Sequence, residues 1–232
     1  MNPACLKGVN GHPGRAVAAI SVALLAGSLL AGCGRDYATS TEGSGDAPVA
    51  VVQTQDDDGY HGVALDQPIA MPAAVLTATD GSDFDLQADT AGRVTLVYAG
   101  YTNCPDVCPT TVADLAAALR GMPESDQEQV DVLMLSTDPE RDTTKRLRAW
   151  LDQFDSGFEG LTGETDVVLA AINAMGIDVV PPEKQPDGSV TVEHGAQVLA
   201  FTPAGEAPLL WTSGTTPTEY RDDVTALLST LS

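Results

Sequence analysis

Residues 94–121 read VTLVYAGYTNCPDVCPTTVADLAAALRG, and this stretch decides the fold. Its first part, residues 94–98, is continuously apolar, as expected of a strand that is buried on both faces. The apolar positions within residues 110–120 recur at helical spacing, and Gly121 closes that pattern. The stretch therefore predicts a buried strand, a loop that carries two cysteines, and a helix.

Strand and helix patterns alternate on both sides of this stretch. Asp80-Gly81 marks a hairpin turn between the predicted strands at residues 75–79 and 83–86. The other predicted strands are 130–135, 158–161, 190–192, 197–201 and 209–212, and the other predicted helices are 143–154, 165–175 and 217–231. This order is typical of an α/β protein with a mixed sheet. It matches a thioredoxin-like fold, a mixed sheet flanked by helices, with an extra N-terminal β-hairpin.

The first 32 residues have the pattern of an export signal. Lys7 and Arg15 precede an apolar segment, residues 16–31, that is too short and too rich in small residues to predict a membrane span. The segment ends in Leu-Ala-Gly-Cys33, which resembles a bacterial lipobox, where the cysteine is acylated and becomes the mature N-terminus. The alternative is an ordinary signal peptide cut near residue 31. We expect residues 1–32 to be a lipoprotein signal peptide and Cys33 to carry the lipid.

The rest of the chain divides into a tether and one domain. Residues 33–61 are rich in Thr, Ser, Gly and Asp, which predicts a flexible, lipid-anchored tether on the extracytoplasmic face of a bacterial cell membrane. Residues 62–232 are the right length for a single folded domain. Without residues 1–32 the chain keeps nine basic residues against 33 acidic ones, a formal charge of −24. Such a surface repels nucleic acid, which is excluded as a partner.

Cys104 and Cys108 are the chemically distinctive residues. They are four positions apart, one turn of helix, so both sulfurs can converge on one ion or form a local disulfide. A cysteine at a helix N-terminus faces unpaired N–H groups, which lower its pKa and favour the thiolate. The alternative, two buried cysteines that only pack, fits poorly with a strand-to-helix loop flanked by prolines. The residues alone therefore predict a reactive thiol pair.

His194 is the third candidate. It precedes the predicted strand at residues 197–201, and in a thioredoxin-like fold the loop before this strand lies beside the cysteine helix. Two thiolates and one imidazole form a soft, three-coordinate set that favours Cu(I), and the nitrogen helps to hold Cu(II) as well. Zinc would normally take a fourth ligand, which the sequence does not offer.

The segment 100–111, GYTNCPDVCPTT, resembles the Sco/SenC family of copper-binding, thioredoxin-like proteins. STDPERDT at 136–143, VEH at 192–194 and FTPAG at 201–205 resemble further family segments, in the same order. The resemblance implies that Cys104, Cys108 and His194 are copper ligands. It also implies a metallochaperone that delivers copper to, or reduces the cysteines of, the dinuclear copper centre in subunit II of cytochrome c oxidase.

Four residues near these segments leave questions open. Asn103 stands where many family members have histidine, and Gly195 replaces a common serine or threonine. Neither change removes a ligand, but both can alter the hydrogen bonds around one. Asp138 and Glu140 are either an acidic pair near the site or part of a turn that leads into the next helix. We favour the turn, with Glu140 and Asp142 in the first helical turn.

A second function of a different class fits the same cysteines. In a thiol–disulfide oxidoreductase that carries no copper, Cys104 would attack a partner disulfide and Cys108 would resolve the mixed disulfide. The sequence therefore leaves open whether the protein is an enzyme. His194 discriminates between the two functions, because thiol exchange needs only the cysteines. A thiol peroxidase is disfavoured, since its usual Thr-x-x-Cys pattern with a nearby arginine is not apparent.

Overall fold

A computed structural model describes residues 59–231 of the chain. The predicted signal peptide, the predicted lipidation site Cys33 and all but the last three residues of the predicted tether lie outside the described residues. No helix of the described range is long and apolar enough to cross a membrane.

Eight strands form one mixed sheet. Within residues 59–231 the ten strands are, in chain order, β1 (Val63–Ala70), β2 (Val75–Ala78), β3 (Asp83–Asp85), β4 (Val94–Gly100), β5 (Val130–Ser136), β6 (Glu159–Thr162), β7 (Glu183–Lys184), β8 (Val190–Thr191), β9 (Val198–Phe201) and β10 (Glu206–Trp211). The order in the large sheet is β1-β10-β9-β4-β5-β6-β2-β3, and β7 pairs with β8 separately. The β4–β5 and β5–β6 pairs are parallel and the others antiparallel.

Helices cover both faces of the sheet. They are α1 (Val107–Arg120), α2 (Glu124–Gln127), α3 (Thr144–Leu151), α4 (Thr165–Ala174) and α5 (Pro217–Thr230). All seven residues of β4 are buried, and successive side chains enter different cores. Leu96 and Tyr98 pack in the core with α1, α3 and α5, whereas Val97 and Ala99 pack in the core with α4. The continuous apolar run of β4 is thus explained by burial on both faces.

The helix that contains Cys108 begins earlier than predicted. We placed its start at residue 110, but α1 begins at Val107, so that Cys108 and Pro109 lie in its first turn. Proline is tolerated there because the first N–H groups of a helix have no intrahelical partner. The α3 helix is shorter than predicted: Thr143 caps it by accepting a hydrogen bond from the Arg146 amide at 3.3 Å, and it ends at Leu151.

The predicted α/β architecture and its hairpin are confirmed, while two strand regions were missed. Strands β2 and β3 form the hairpin and extend the sheet beyond β6. The missed strand β1 is an edge strand whose pairing with β10 is interrupted between Ala64 and Ile69. Its sequence includes Asp66 and Pro68, which obscure the alternation that predicts a strand. The short β7–β8 hairpin was recognised only in its second strand.

Candidate functional site

The two cysteines lie where the central strand β4 leads into α1. Cys104 is half-buried in the connecting loop, and Cys108 is fully buried in the first helical turn. The Cys108 amide donates a hydrogen bond to the Cys104 sulfur at 3.3 Å, and both are free thiols in the described part of the chain. The structure therefore brings the predicted pair together, with one accessible sulfur and one enclosed sulfur.

Burial reverses the predicted acidity of Cys108. The sequence predicts a lowered pKa for a cysteine at the helix N-terminus, where the structure places Cys108. Instead, burial raises the pKa of Cys108 to about 12, and its hydrogen bond with Cys104 adds to the increase. The Tyr98 hydroxyl acts in the opposite direction. The prediction is wrong for Cys108 because the loss of hydration penalises its thiolate more than the helix end stabilises it.

Tyr98 and Gly100 lie next to the buried sulfur of Cys108. A β-carbon built on Gly100 would lie 2.6 Å from Cε1 of Tyr98 and 3.3 Å from the sulfur of Cys108. The missing side chain of Gly100 therefore leaves the phenol ring and the sulfur close together. The Tyr98 hydroxyl is buried, with no hydrogen-bond partner among the described residues. Burial raises the pKa of Tyr98, and the charge of Cys108 adds to that effect.

The buried carboxylate of Asp142 accepts hydrogen bonds from the cysteine loop, residues 101–106, which connects β4 to α1. Asp142 is fully buried and accepts hydrogen bonds from the Thr102 amide at 3.0 Å and from the Ser136 hydroxyl at 2.9 Å. The Thr102 hydroxyl also donates to it. Asp142 thus joins the loop after β4 to the end of β5. The prediction that Glu140 and Asp142 lie in the first turn of the next helix is wrong for both residues, since α3 begins at Thr144.

Arg146 on α3 also donates hydrogen bonds to the cysteine loop. Its Nε donates to the Thr102 hydroxyl at 2.8 Å and its Nη2 donates to Oδ1 of Asn103 at 2.6 Å. Asn103, which stands where many family members have histidine, therefore has a specific hydrogen-bond partner in this chain. The residue preceding Cys104 is fixed by α3.

Asp138 forms the favoured turn. The amides of Arg141 and Asp142 donate to its carbonyl oxygen at 3.1 Å and 2.9 Å, and Arg141 pairs with its carboxylate. Burial raises the pKa of Asp138, whereas Arg141 acts to lower it. Glu140 is exposed. The chain therefore turns here as expected.

His194 contacts the ring of Tyr101, the residue that follows β4 and begins the cysteine loop. It pairs with Val179 in an isolated bridge, and its ring contacts Tyr101 edge-on at a centroid distance of 5.8 Å. The Cys104 amide in turn donates to the Tyr101 carbonyl at 3.2 Å. Within residues 59–231, no three His, Cys, Asp or Glu side chains form a metal-binding group. The structure brings the two cysteines together, whereas His194 is connected to their loop through its ring contact with Tyr101.

The hydrogen bond of His194 determines which ring nitrogen is free to bind a metal. Its Nδ1 lies 2.8 Å from the Gly195 carbonyl oxygen. A carbonyl only accepts hydrogen bonds, so in the neutral imidazole Nδ1 is the nitrogen that carries the hydrogen and Nε2 is the one with the lone pair. Histidines that bind metals commonly donate their other N–H to such an acceptor. The donor types present, two sulfurs and one imidazole nitrogen, fit a copper ion.

Sequence reasoning missed the residues that support the cysteines. Tyr98 was recognised only as part of an apolar strand, and Arg146 only as part of an amphipathic helix. Alternation along β4 was the one available signal, because it places Tyr98 on the same face as α1. For Thr102 and Arg146 the contacts join residues 44 positions apart, which no local pattern reveals.

Comparison with known proteins decides the family. The SCO1/SenC family profile matches residues 67–229, more than half of the chain. The chain belongs to the SCO1/SenC family. Its resemblance to this family is therefore confirmed, over the whole stretch that contains Cys104, Cys108 and His194.

Two solved structures illustrate the similarity. The structure of Bradyrhizobium japonicum ScoI with copper bound is 29% identical, covers 68% of this chain and 98% of that chain, and has a TM-score of 0.61. A SCO1/SenC family lipoprotein from Bacillus anthracis is 25% identical and covers 71% of this chain and 99% of that chain, with a TM-score of 0.57. These structures confirm the predicted thioredoxin-like fold.

The human mitochondrial SCO1 homolog is 31% identical over 124 residues, which is 51% of this chain and 40% of that protein. The chain spans less than two thirds of the length of the curated relatives it matches.

Proposed function

We propose that this protein is a copper metallochaperone that holds its cargo ion with Cys104, Cys108 and His194. The observation that carries the proposal is the thiol pair itself, with the Cys108 amide on the Cys104 sulfur at 3.3 Å. One sulfur is partly exposed and the other is enclosed, so the pair offers both a point of exchange and a fixed anchor. Two sulfurs and one imidazole favour Cu(I) and can also hold Cu(II).

His194 supplies the nitrogen ligand in this proposal. Its Nδ1–H donates to the Gly195 carbonyl at 2.8 Å, which leaves Nε2 as the donor atom for copper. Its ring lies against Tyr101, next to the cysteine loop. The likeness to a ScoI that is known with copper bound supports copper as the cargo.

The recipient and the location belong to the same proposal. The family resemblance supports delivery to the dinuclear copper centre of cytochrome c oxidase subunit II. Residues 1–32 would be removed, Cys33 would carry the lipid, and residues 33–61 would tether the domain to the extracytoplasmic face of the cell membrane. A family lipoprotein among the structural relatives supports that anchor.

The alternative function, thiol–disulfide exchange, is favoured by one specific observation. The more accessible sulfur, Cys104, lies beside a helix amide, as expected of an attacking thiol, and Cys108 lies directly behind it. In that reaction Cys104 attacks a partner disulfide and releases one partner thiol. Cys108 then displaces the second, so that the partner gains two thiols and this protein gains a Cys104–Cys108 disulfide.

An anaerobic Cu(I) titration tests the proposed function. The full chain carries Cys5→Ser and Cys33→Ser, so that Cys104 and Cys108 are its only thiols. This parent protein should bind one copper ion, and His194→Ala should lose affinity by at least roughly tenfold. His61→Ala is the matched control, since His61 is exposed and lies outside the site. No binding by the parent, or equal binding by His194→Ala, would contradict the proposal.

A further inference from the structure

We propose that the Tyr98 hydroxyl is a positioning group that donates a hydrogen bond to the Cys108 sulfur when this sulfur holds copper. The inference rests on the proposed function for the identity of the metal. It assigns a role to a residue of the central strand that is itself no ligand.

The fold directs Tyr98 at the sulfur. Alternation along β4 places its ring in the core that contains Cys108, and both side chains are fully buried there. Gly100, two residues further along the strand, lies between them. A β-carbon at Gly100 would lie 2.6 Å from the ring and 3.3 Å from the sulfur, so only glycine allows this approach.

The hydroxyl lacks an adequate partner in the structure. It is buried and makes no hydrogen bond among the described residues, although buried polar groups are nearly always paired. The groups that interact with it are the Cys108 sulfur and the side chain of Thr111. A phenol hydroxyl in this position is a donor that needs an acceptor.

Copper binding would create that acceptor. A neutral thiol accepts hydrogen bonds weakly, whereas a metal-bound thiolate sulfur carries negative charge and accepts them strongly. The Tyr98 hydroxyl, which has no hydrogen-bond partner among the described residues, therefore gains an acceptor in the copper-bound protein. Because only a difference between the two states changes affinity, this hydrogen bond favours copper retention at the enclosed sulfur.

Tyr98→Phe removes the hydroxyl and keeps the ring, so it separates this role from simple packing. In the Cys5→Ser, Cys33→Ser parent, Tyr98→Phe should lower copper affinity by roughly tenfold. The sulfur-to-Cu(II) charge-transfer band should move to longer wavelength, because a hydrogen bond lowers the energy of the sulfur lone pair. Tyr220→Phe is the control: Tyr220 is buried in the same core against Trp211, and its hydroxyl interacts with Thr215. It should match the parent in both measurements.

Each outcome has one meaning. If Tyr98→Phe binds copper with the parent's affinity and band position, the Tyr98 proposal is overturned and the proposed function stands. If the parent binds no copper, the proposed function fails and the Tyr98 proposal fails with it. If Tyr98→Phe does not fold, the same residue is replaced by 4-methylphenylalanine, which fills the space of the hydroxyl without a donor. An unchanged band in that protein overturns the proposal.

Discussion

Two buried aspartates support different regions of this domain in the same way. Asp223 on α5 accepts hydrogen bonds from the amides of His61 and Gly62, at 2.9 Å and 2.8 Å, and from Nε1 of Trp211 at 2.7 Å. Asp142 accepts two hydrogen bonds from Thr102 and one from Ser136. Each carboxylate is almost fully buried and joins segments that are distant in sequence.

The difference lies in what the two carboxylates hold. Asp223 ties the beginning of the described chain and the last strand to α5, and it touches no residue of the candidate site. Asp142 fixes Thr102, two residues before Cys104. A buried carboxylate with three donors stabilises a fold in either place, but only Asp142 also holds the loop that contains a proposed copper ligand.

The largest expected effect is the loss of stability in Asp223→Ala. The substitution leaves two backbone amides and the Trp211 indole without their acceptor, which should cost about 3–5 kcal/mol. Urea unfolding measures this loss, and copper affinity per folded molecule should match that of the parent. Asp222→Ala, at the exposed neighbour, should change stability by less than about 0.5 kcal/mol. Lower copper affinity in folded Asp223→Ala would contradict the claim that Asp223 stabilises the fold without affecting the copper site.

The next effect is that of Asp142→Ala, which should reduce both stability and copper affinity. Three donors lose their acceptor, so the free energy of unfolding should fall by about 2–4 kcal/mol. Because the cysteine loop also loses its support, copper affinity should fall by roughly tenfold in the folded protein. Urea unfolding and Cu(I) competition measure the two quantities. The control is Asp152→Ala, an exposed aspartate at the C-terminal end of α3, which should match the parent in copper affinity. If Asp142→Ala is destabilised but binds copper with the parent's affinity, Asp142 has only the structural role that we assign to Asp223.

The smallest expected effect is that of Arg146→Ala. Arg146 is exposed, so the loss of its hydrogen bonds to Thr102 and Asn103 should cost less than about 1 kcal/mol of stability. The loop before Cys104 becomes less restrained, and copper should therefore dissociate several times faster than from the parent. Stopped-flow transfer to a chelator measures the rate. Equal rates for Arg146→Ala and for Lys145→Ala, at the exposed neighbour, would show that Arg146 does not restrain the site.

The central elements could be predicted from the sequence because their patterns are local. The continuous apolar run of β4 and the helical spacing after it identify a buried strand and α1 without any distant contact. The cysteine pair follows directly from its position between them. Strand β1 was missed because an edge strand with Asp66 and Pro68 has no clear alternation.

The environment of the site could not be predicted in this way. Asp142 precedes a helix in the sequence, but its partner on the cysteine loop, Thr102, is 40 residues away. The acidity predicted for Cys108 considered the helix end and omitted burial, which depends on the packing of the whole core. The topology that predicted His194 near the cysteines did not reveal its ring contact with Tyr101.

X-ray absorption at the copper edge of the loaded parent protein tests most directly whether Cys104, Cys108 and His194 bind the ion together. We predict two sulfur ligands and one nitrogen ligand. The nitrogen contribution should disappear in His194→Ala and persist in His61→Ala. A site with sulfur ligands only, or a spectrum that is unchanged by His194→Ala, would contradict the three-ligand site.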